Sequence, residues 1–235
     1  MVFTLFGDQF DESEENLLLN LFDQILQKEY DACSNIGDFM RSNTTFTKML
    51  NAALRRSTYY QYLGKVLIEP IQKLISANVN LEINPVKVFE ELKAANPAIV
   101  DTKDYDNHPE VKSTVEPRIA QIVEFTKLFL DKIYSSAKDA PFGLKFLCRK
   151  IFEYGAERYK NASKSEHYSL VGGLVFLRFF NPTISTCDTG SVKLVNISLN
   201  MVQKRNLTMI SKVLQNLSNG INFGSKENYM VPMNN

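Results

Sequence analysis

The spacing of apolar residues constrains the fold of this chain more than any other feature. Apolar side chains recur at steps of three and four along nearly all of its 235 residues, as in the series Ile122, Phe125, Phe129 and Ile133. No segment alternates apolar and polar residues as a half-exposed β-strand does. The sequence therefore predicts an all-α protein in which each helix buries one apolar face.

Breaks in the apolar pattern predict where helices begin and end. Asn84-Pro85 is typical of a helix start, Asn181-Pro182 of a helix stop and Asn219-Gly220 of a left-handed helix end. The polar segment 96–113 is predicted to be a loop, and residues 183–200 are predicted to be irregular. Helices are predicted over 44–55, 58–76, 142–160, about 165–180 and about 202–218, together with a long helix after the polar segment and one that carries Leu18, Phe22 and Ile25.

Length and charge limit the classes of protein to which this chain can belong. With 44% hydrophobic residues it can bury a sizeable core, and we expect one domain over residues 1–235 with its core at about 15–230. The 27 basic and 26 acidic residues nearly cancel, so no overall field attracts nucleic acid or an anionic membrane. Neither a nucleic-acid partner nor direct membrane insertion is therefore expected.

The cysteines and the N-terminus indicate a cytoplasmic protein. Cys33, Cys148 and Cys187 are odd in number and far apart, which favours neither a disulfide framework nor a zinc site. The chain turns acidic soon after a short apolar start, unlike a signal peptide. It has no run of about 18 apolar residues, so no membrane-spanning helix is expected.

Motifs for self-contained catalysis are absent from the sequence. It has no phosphate-binding GxxxxGK[ST] loop, no GxGxxG and no HExxH. His108 and His167, the only histidines, lack neighbours at metal-ligand spacing, and no pair of carboxylates stands in an acid–base context. We therefore expect no metal and no cofactor of the chain's own, and a hydrolase acting alone is disfavoured.

The segment 38–50, DFMRSNTTFTKML, places an arginine at the end of a loop. Apolar Phe39-Met40 precede Arg41, and Ser42-Asn43-Thr44 are residue types that cap helices. Such a loop can project the arginine forward while the apolar pair anchors the backbone behind it. The alternative is that Arg41 is an ordinary surface arginine.

The segment 170–184, LVGGLVFLRFFNPTI, contains an arginine within an apolar run. On a helical wheel Arg178 lies near Leu174 and Val175, so it is predicted to point inward. A buried guanidinium needs acceptors for its five donors, and the backbone carbonyls of a nearby loop would satisfy them. The alternative is an arginine that ties two core helices together. Gly172-Gly173 costs roughly 1–2 kcal/mol in a helix, which indicates close helix packing there.

The segment 204–219, KRNLTMISKVLQNLSN, is an amphipathic helix with an apolar stripe and a polar line. The polar line is predicted to be available to a partner, and the alternative is a solvated helix face. The apolar stripe consists of Leu207, Ile210, Leu214 and Leu217, and the polar line consists of Thr208, Lys212, Gln215 and Asn219.

Taken together, these segments resemble the Ras GTPase-activating (RasGAP) domain family. Its finger loop reads roughly L-F-R-x-N-S and its signature F-L-R-x-x-x-P-A; here they stand as FMRSN at 39–43 and FLRFFNPT at 176–183. The late helix is similar to the segment of neurofibromin that contacts Ras. Further stretches are similar to IQGAP-related domains, namely LEINPVKVF (81–89), HPEVKS (108–113), APFGLKFLCRKIFE (140–153) and KRNLTMISKVLQ (204–215).

The resemblance implies a multi-helix fold with a shallow groove for a Ras-family small GTPase in its GTP-bound form. The GTP and the magnesium ion would belong to that partner. Arg41 would be the arginine finger that enters the GTPase active site, and Arg178 would stabilise the finger loop. The resemblance assigns GTPase contacts to Ser42, Asn43, Thr44, Leu177, Asn181, Pro182, Thr208, Lys212, Gln215 and Asn219.

The two branches of the family imply different activities. Mammalian IQGAP domains carry threonine at the finger position and resemble binders of Rac and Cdc42 that do not speed hydrolysis. This chain has Arg41 and an intact 176–178, so it resembles an IQGAP-related domain that retains the activating machinery and reaches the cell cortex through its GTPase. The alternative is a non-catalytic module for Rac/Cdc42-type or cytoskeletal partners. Ser42, Thr183 and Thr208 depart from the usual glycine, alanine and lysine, which affects partner identity more than catalysis.

Overall fold

Nine α-helices account for most of the residues that the structure describes. In this computed structural model, those are residues 5–7, 11–189 and 193–234, and no strand occurs in these ranges. The prediction of an all-α fold is confirmed. The helices are α1 (Glu12–Ala32), α2 (Thr45–Ala53), α3 (Ser57–Ser76), α4 (Pro85–Ala95), α5 (Pro109–Ser136), α6 (Phe142–Arg158), α7 (Lys164–Gly172), α8 (Asn181–Ser185) and α9 (Met201–Asn219).

A single large core joins most of these helices. Helix α1 packs on α6, α3 packs on α5, and α9 contacts α5, α7 and α8. Phe46, Phe129 and Ile210 are among the apolar side chains fully buried in this core. Helix α4 and the start of α5 enclose a second, smaller apolar cluster around Val88 and Phe89. Among the described helices, none combines the length and apolarity that crossing a bilayer requires.

Several helix ends follow the predicted chemistry. Thr44 caps α2, and its hydroxyl and that of Thr47 form a reciprocal capping box. Asn84 caps α4, with Pro85 in the first turn. Gly220 ends α9 with a left-handed backbone, at φ 63°.

Two predicted boundaries are wrong. The loop predicted over 96–113 is shorter, because Pro109 begins α5 and His108 stands at its N-cap position. Asn181-Pro182 does not stop the preceding helix, which continues from Gly173 to Phe180 as a π-helix and then directly into α8. Proline is tolerated there because it stands in the first turn of α8, where it breaks no α-helical bond.

Two further predictions are only partly right. The region 183–200 is not irregular throughout, because α8 extends to Ser185; part of that region, residues 190–192, lies outside the described residues. Leu217 does not belong to the core stripe of α9, since 60% of its surface is exposed. The other three residues of the stripe, Leu207, Ile210 and Leu214, are buried.

The predicted close packing at the glycine pair is confirmed. A Cβ on Gly172 would lie 2.6 Å from the backbone oxygen of Ser218 in α9, and a Cβ on Gly173 would lie 3.2 Å from the Cβ of Met40. Neither helix α9 nor the loop that carries Met40 could approach so closely if these residues had side chains. The glycine pair therefore sets the distances between α7, α9 and that loop.

We expect Gly172→Ala to lower the free energy of unfolding by about 1–3 kcal/mol, because the new methyl group meets a backbone atom that cannot move alone. Alanine is the better helix former, so the sign of the change tests the packing. Urea unfolding should show a lower midpoint with an unchanged slope. Gly64→Ala in α3 is the matched control, since its Cβ would meet only Ile68 at an ordinary 3.5 Å; a Gly172→Ala variant as stable as this control would contradict the packing.

Candidate functional site

The loop between α1 and α2 presents Arg41 to solvent. The amides of Arg41 and Ser42 both donate to the carbonyl of Asp38, at 3.2 and 3.4 Å, which closes a tight turn. Met40 occupies the left-handed region at φ 65°, a conformation that non-glycine residues seldom adopt. The turn leaves the side chain of Arg41 exposed, whereas those of its two predecessors are buried.

Phe39 and Met40 anchor the loop from behind, as their apolar character predicts. The ring of Phe39 stacks on Tyr30 with centroids 4.1 Å apart, and the Tyr30 hydroxyl donates to the carbonyl of Ile151 at 2.8 Å. Met40 is only 3% exposed and rests against Gly173. The loop is therefore fixed to α1, α6 and the π-helix.

Arg178 ties the same loop to the π-helix. Its Nε donates to the carbonyl of Met40 at 2.7 Å, and its Nη2 donates to the carbonyl of Ser42 at 3.2 Å. The prediction that its donors bind the carbonyls of a nearby loop is confirmed. Partial burial lowers the pKa of the Arg178 guanidinium below its ordinary value. The two bonds bracket Arg41, so they fix the backbone on both sides of it.

The start of α2 holds the other end of the loop. The Thr47 hydroxyl lies 3.0 Å from the carbonyl of Ser42 and 2.9 Å from the amide nitrogen of Thr44. Ser42 and Asn43 are exposed, and the Ser42 hydroxyl donates back to Asp38. Of the three predicted contact residues here, Ser42 and Asn43 face solvent, and Thr44 serves mainly as the helix cap.

Two shallow depressions meet at Leu177. One, of about 370 Å³, is lined by Arg178 and Pro182 together with Asn51 and Arg55 from α2 and the turn after it. The other, of about 350 Å³, contains Arg41 and Asn219. Leu177 lines both, so the predicted residues Arg41, Leu177, Arg178, Pro182 and Asn219 are brought together along one groove.

One carboxylate, that of Glu166, lies in the depression that contains Arg41. Hydrogen bonds from the amide and the hydroxyl of Ser163 hold the pKa of Glu166 below its usual range. Its charge is thereby engaged at the start of α7, where it completes a capping box.

Asn181, which the resemblance assigns to the GTPase contacts, is instead buried between two helices. Its side chain is 8% exposed, and its amide donates to the carbonyl of Ser211 at 3.2 Å and to the side-chain oxygen of Gln215 at 3.0 Å. It joins α8 to α9 and thereby engages the side-chain oxygen of Gln215. The π-helix turns Asn181 inward, a rotation that the α-helical spacing of the sequence does not reveal.

The side chains of the α9 polar line are less available to a partner than predicted. The ammonium of Lys212 binds the carboxylate of Glu227, the Thr208 hydroxyl donates to the carbonyl of Lys204 at 2.9 Å, and Gln215 donates to Asn219 at 3.1 Å. These side chains therefore already have partners within the chain. Their roles in binding a GTPase stay predictions.

Sequence reasoning missed Asn51 and Arg55 as groove residues. Neither falls within the finger, FLR or late-helix segments, and a polar residue on an amphipathic helix looks like ordinary surface. The available signal was that Asn51 and Arg55 are four residues apart, so a helical turn continued past the end of α2 would place both on the same face.

Comparison with known proteins agrees with this geometry. The RasGAP family, described as "GTPase-activator protein for Ras-like GTPase", matches residues 21–219, a range that includes the Arg41 loop, the π-helix and α9. These are the elements that build the groove.

Curated relatives include several long GTPase-activating-like proteins. The chain is 29% identical to the Ras GTPase-activating-like protein rgaA of Dictyostelium discoideum, over all of this chain and 29% of that protein. It is 28% identical to human Ras GTPase-activating-like protein IQGAP2, over all of this chain and 16% of that protein. It is 27% identical to neurofibromin-A of Dictyostelium discoideum, over 93% of this chain and 23% of that protein.

The chain thus spans less than a third of the length of each of these relatives. The family match, in contrast, covers most of the chain and most of the groove. This chain belongs to the RasGAP family of GTPase activators.

Proposed function

We propose that this chain accelerates GTP hydrolysis on a Ras-family small GTPase by inserting Arg41 into the active site of that partner. The observation that carries the proposal is the position of Arg41: the side chain is exposed, while Arg178 binds the backbone carbonyls on both sides of it. A surface arginine without a function needs no such support. The fixed loop leaves the guanidinium free to reach a ligand outside the chain.

The chemistry of GTP hydrolysis explains why an arginine is needed. Negative charge develops on the oxygen that bridges the β- and γ-phosphates and on the γ-phosphate oxygens. A guanidinium placed beside these atoms in a water-excluded site stabilises that charge. The backbone carbonyl of Arg41 would orient the catalytic glutamine of the GTPase, and the partner's GTP and magnesium ion would complete the site. Arginine fingers in known GTPase–activator pairs raise the rate by about 10³–10⁵.

Preorganisation is the second part of the mechanism. A finger loop held by Arg178, Phe39 and Met40 does not have to be ordered when the GTPase arrives. Leu177 and Pro182 would pack beside the switch regions of the GTPase, and Ser42, Asn219 and the outer part of the α9 polar line would supply polar contacts. The GTPase would also recruit the chain to the membrane or the cell cortex.

A second function is favoured by the similarity to human IQGAP2. In that alternative the chain binds a GTP-loaded Rac/Cdc42-type GTPase and preserves its GTP. The bracketed, exposed arginine weighs against this alternative, because a pure binder gains nothing from a fixed finger.

The decisive experiment measures phosphate release from GTP-loaded Ras, Rap, Rac and Cdc42 in single turnovers, with and without the chain. We expect acceleration of at least one Ras-type GTPase by about 10³-fold or more at saturating chain. Slower release from Rac or Cdc42 without acceleration of any GTPase would instead support the binding module.

A further inference from the structure

The stretch of sequence around α2 is unusually rich in unopposed positive charge. No Asp or Glu occurs between Asp38 and Glu69, whereas that stretch contains five basic residues: Arg41, Lys48, Arg55, Arg56 and Lys65. Over the whole chain basic and acidic residues are nearly equal, at 27 and 26. These positive charges can therefore interact only with distant carboxylates, with backbone groups, with solvent or with a partner molecule.

Two of these five cations are engaged within the chain. Arg56 is 1% exposed and donates to the carbonyls of Phe6 and Gly7 at 2.8 and 2.7 Å. Lys65 binds the carboxylate of Asp139 at 2.8 Å. Both have structural partners and need no external ligand.

Lys48 and Arg55 have no such partner. Both are exposed, and neither forms an ion pair or a side-chain hydrogen bond with another residue in the described ranges. An exposed lysine or arginine is usually solvated surface, so exposure alone assigns them no role. Their position relative to the groove is what distinguishes them.

Lys48, Asn51 and Arg55 follow one another at steps of three and four, which places them on one face of a helix. The backbone keeps a tight helical turn beyond the end of α2, since the amide of Arg55 donates to the carbonyl of Ala52 at 3.2 Å. This face leads into the groove, because Asn51 and Arg55 line the same depression as Arg178. The described residues of that depression include two arginines and no carboxylate.

We propose that Lys48 and Arg55 form a basic strip that docks acidic side chains on the surface of the bound GTPase. This inference rests on the proposed function, because it gives the strip to the same partner whose active site receives Arg41. The depression beside α2 has Arg55 and no carboxylate among its described lining residues, and Lys48 lies on the same helical face, so this part of the groove is complementary to a carboxylate-rich surface. It would attract that surface over a distance of roughly 8–10 Å at physiological salt.

The strip would select the partner and speed its arrival, and it would leave the chemical step to Arg41. Complementary charges at the rim of an interface change association rates and salt dependence more than they change the chemistry. A GTPase that has acidic residues opposite α2 would be preferred over one that has lysines there. The strip thus supplies specificity that the Arg41–Arg178 arrangement cannot provide by itself.

The test is a double charge reversal, Lys48→Glu with Arg55→Glu, assayed against the GTPase that the wild-type chain accelerates best. We expect the chain concentration for half-maximal acceleration to rise about tenfold or more at low salt, with the maximal single-turnover rate within twofold of wild type. The difference from wild type should shrink as salt is raised. Binding to the same GTPase loaded with a non-hydrolysable GTP analogue should weaken in parallel.

The matched control is Lys103→Glu with Lys112→Glu, which changes the net charge equally. Both lysines are exposed, and each lies within two residues of Tyr105 or Val111 of the second apolar cluster. Lys112 also donates to the side-chain oxygen of the exposed Asn107. The control should behave as wild type. Circular dichroism and urea unfolding of both double variants confirm that each is folded.

The outcomes separate this inference from the function on which it rests. Wild-type affinity in the Lys48/Arg55 double variant overturns the strip and leaves the finger mechanism intact. An equal loss in the control overturns it too, because the effect would then come from net charge alone. If the wild-type chain accelerates no GTPase, the proposed function fails, and the strip fails with it.

Discussion

Arg41→Ala is expected to reduce stimulated GTP hydrolysis by about 10³-fold or more at saturating chain, since the arginine finger in known pairs supplies about that factor. The loss should appear in the maximal single-turnover rate, because the guanidinium acts on charge that develops only in the transition state. Binding of the chain to GTPase loaded with GDP and a transition-state mimic such as aluminium fluoride should weaken as well. Unfolding should change little, since the side chain is exposed.

Two further variants sharpen this result. Arg41→Lys keeps the positive charge but lacks the planar fork of the guanidinium, so it should recover only a small part of the rate. Arg149→Ala is the control: it removes an arginine whose side chain is 80% exposed and paired with Glu153 on α6, and activity should be unchanged. Wild-type single-turnover rates in Arg41→Ala would rule out the finger assignment.

Arg178→Ala is the second change with a large expected effect. It removes the donors for the carbonyls of Met40 and Ser42, so the loop can move relative to the groove. A displacement of about 1 Å at a reacting centre costs roughly 10²-fold in rate, and we expect a loss of that order or greater. The free energy of unfolding should also fall by about 1–3 kcal/mol, because two carbonyls lose charged donors.

If Arg178 positions the Arg41 loop, a further result is expected that a purely structural role does not predict. Arg178→Lys retains one donor group and should restore stability more fully than activity, because a single ammonium cannot bracket Arg41 from both sides. Hydrogen exchange should be faster at the amides of Arg41 and Ser42 in both variants. Full activity in Arg178→Ala would remove the proposed role, whatever the change in stability.

The all-α fold and the contact between Arg178 and the loop that carries Arg41 could be predicted because they depend on local patterns. The spacing of Ile122, Phe129 and their neighbours is that of one face of a helix, and these residues lie on the buried face of α5. A guanidinium inside an apolar run has to find acceptors, and the carbonyls of Met40 and Ser42 provide them. In both cases the physical requirement is visible in a few consecutive residues.

The errors arise where a residue's environment is set by distant parts of the chain. Asn181-Pro182 looks like a helix stop, yet the π-helix before it carries Asn181 inward to Gln215. Lys212 looks free on a helical wheel, but Glu227 from a later segment binds it. Leu217 fits the apolar period and is nevertheless exposed at the end of α9. The spacing of apolar residues along the sequence gives no information about these tertiary contacts.

The left-handed backbone at Met40 narrows the choice of amino acids at that position. Glycine would adopt φ 65° without strain, but it would remove the side chain that fills the space beside Gly173. Valine or isoleucine would fill that space, yet a β-branched residue is strongly disfavoured at such a φ. Long, unbranched apolar side chains satisfy both demands. In a saturation library, the position before Arg41 should therefore tolerate fewer substitutions than the two exposed positions after it.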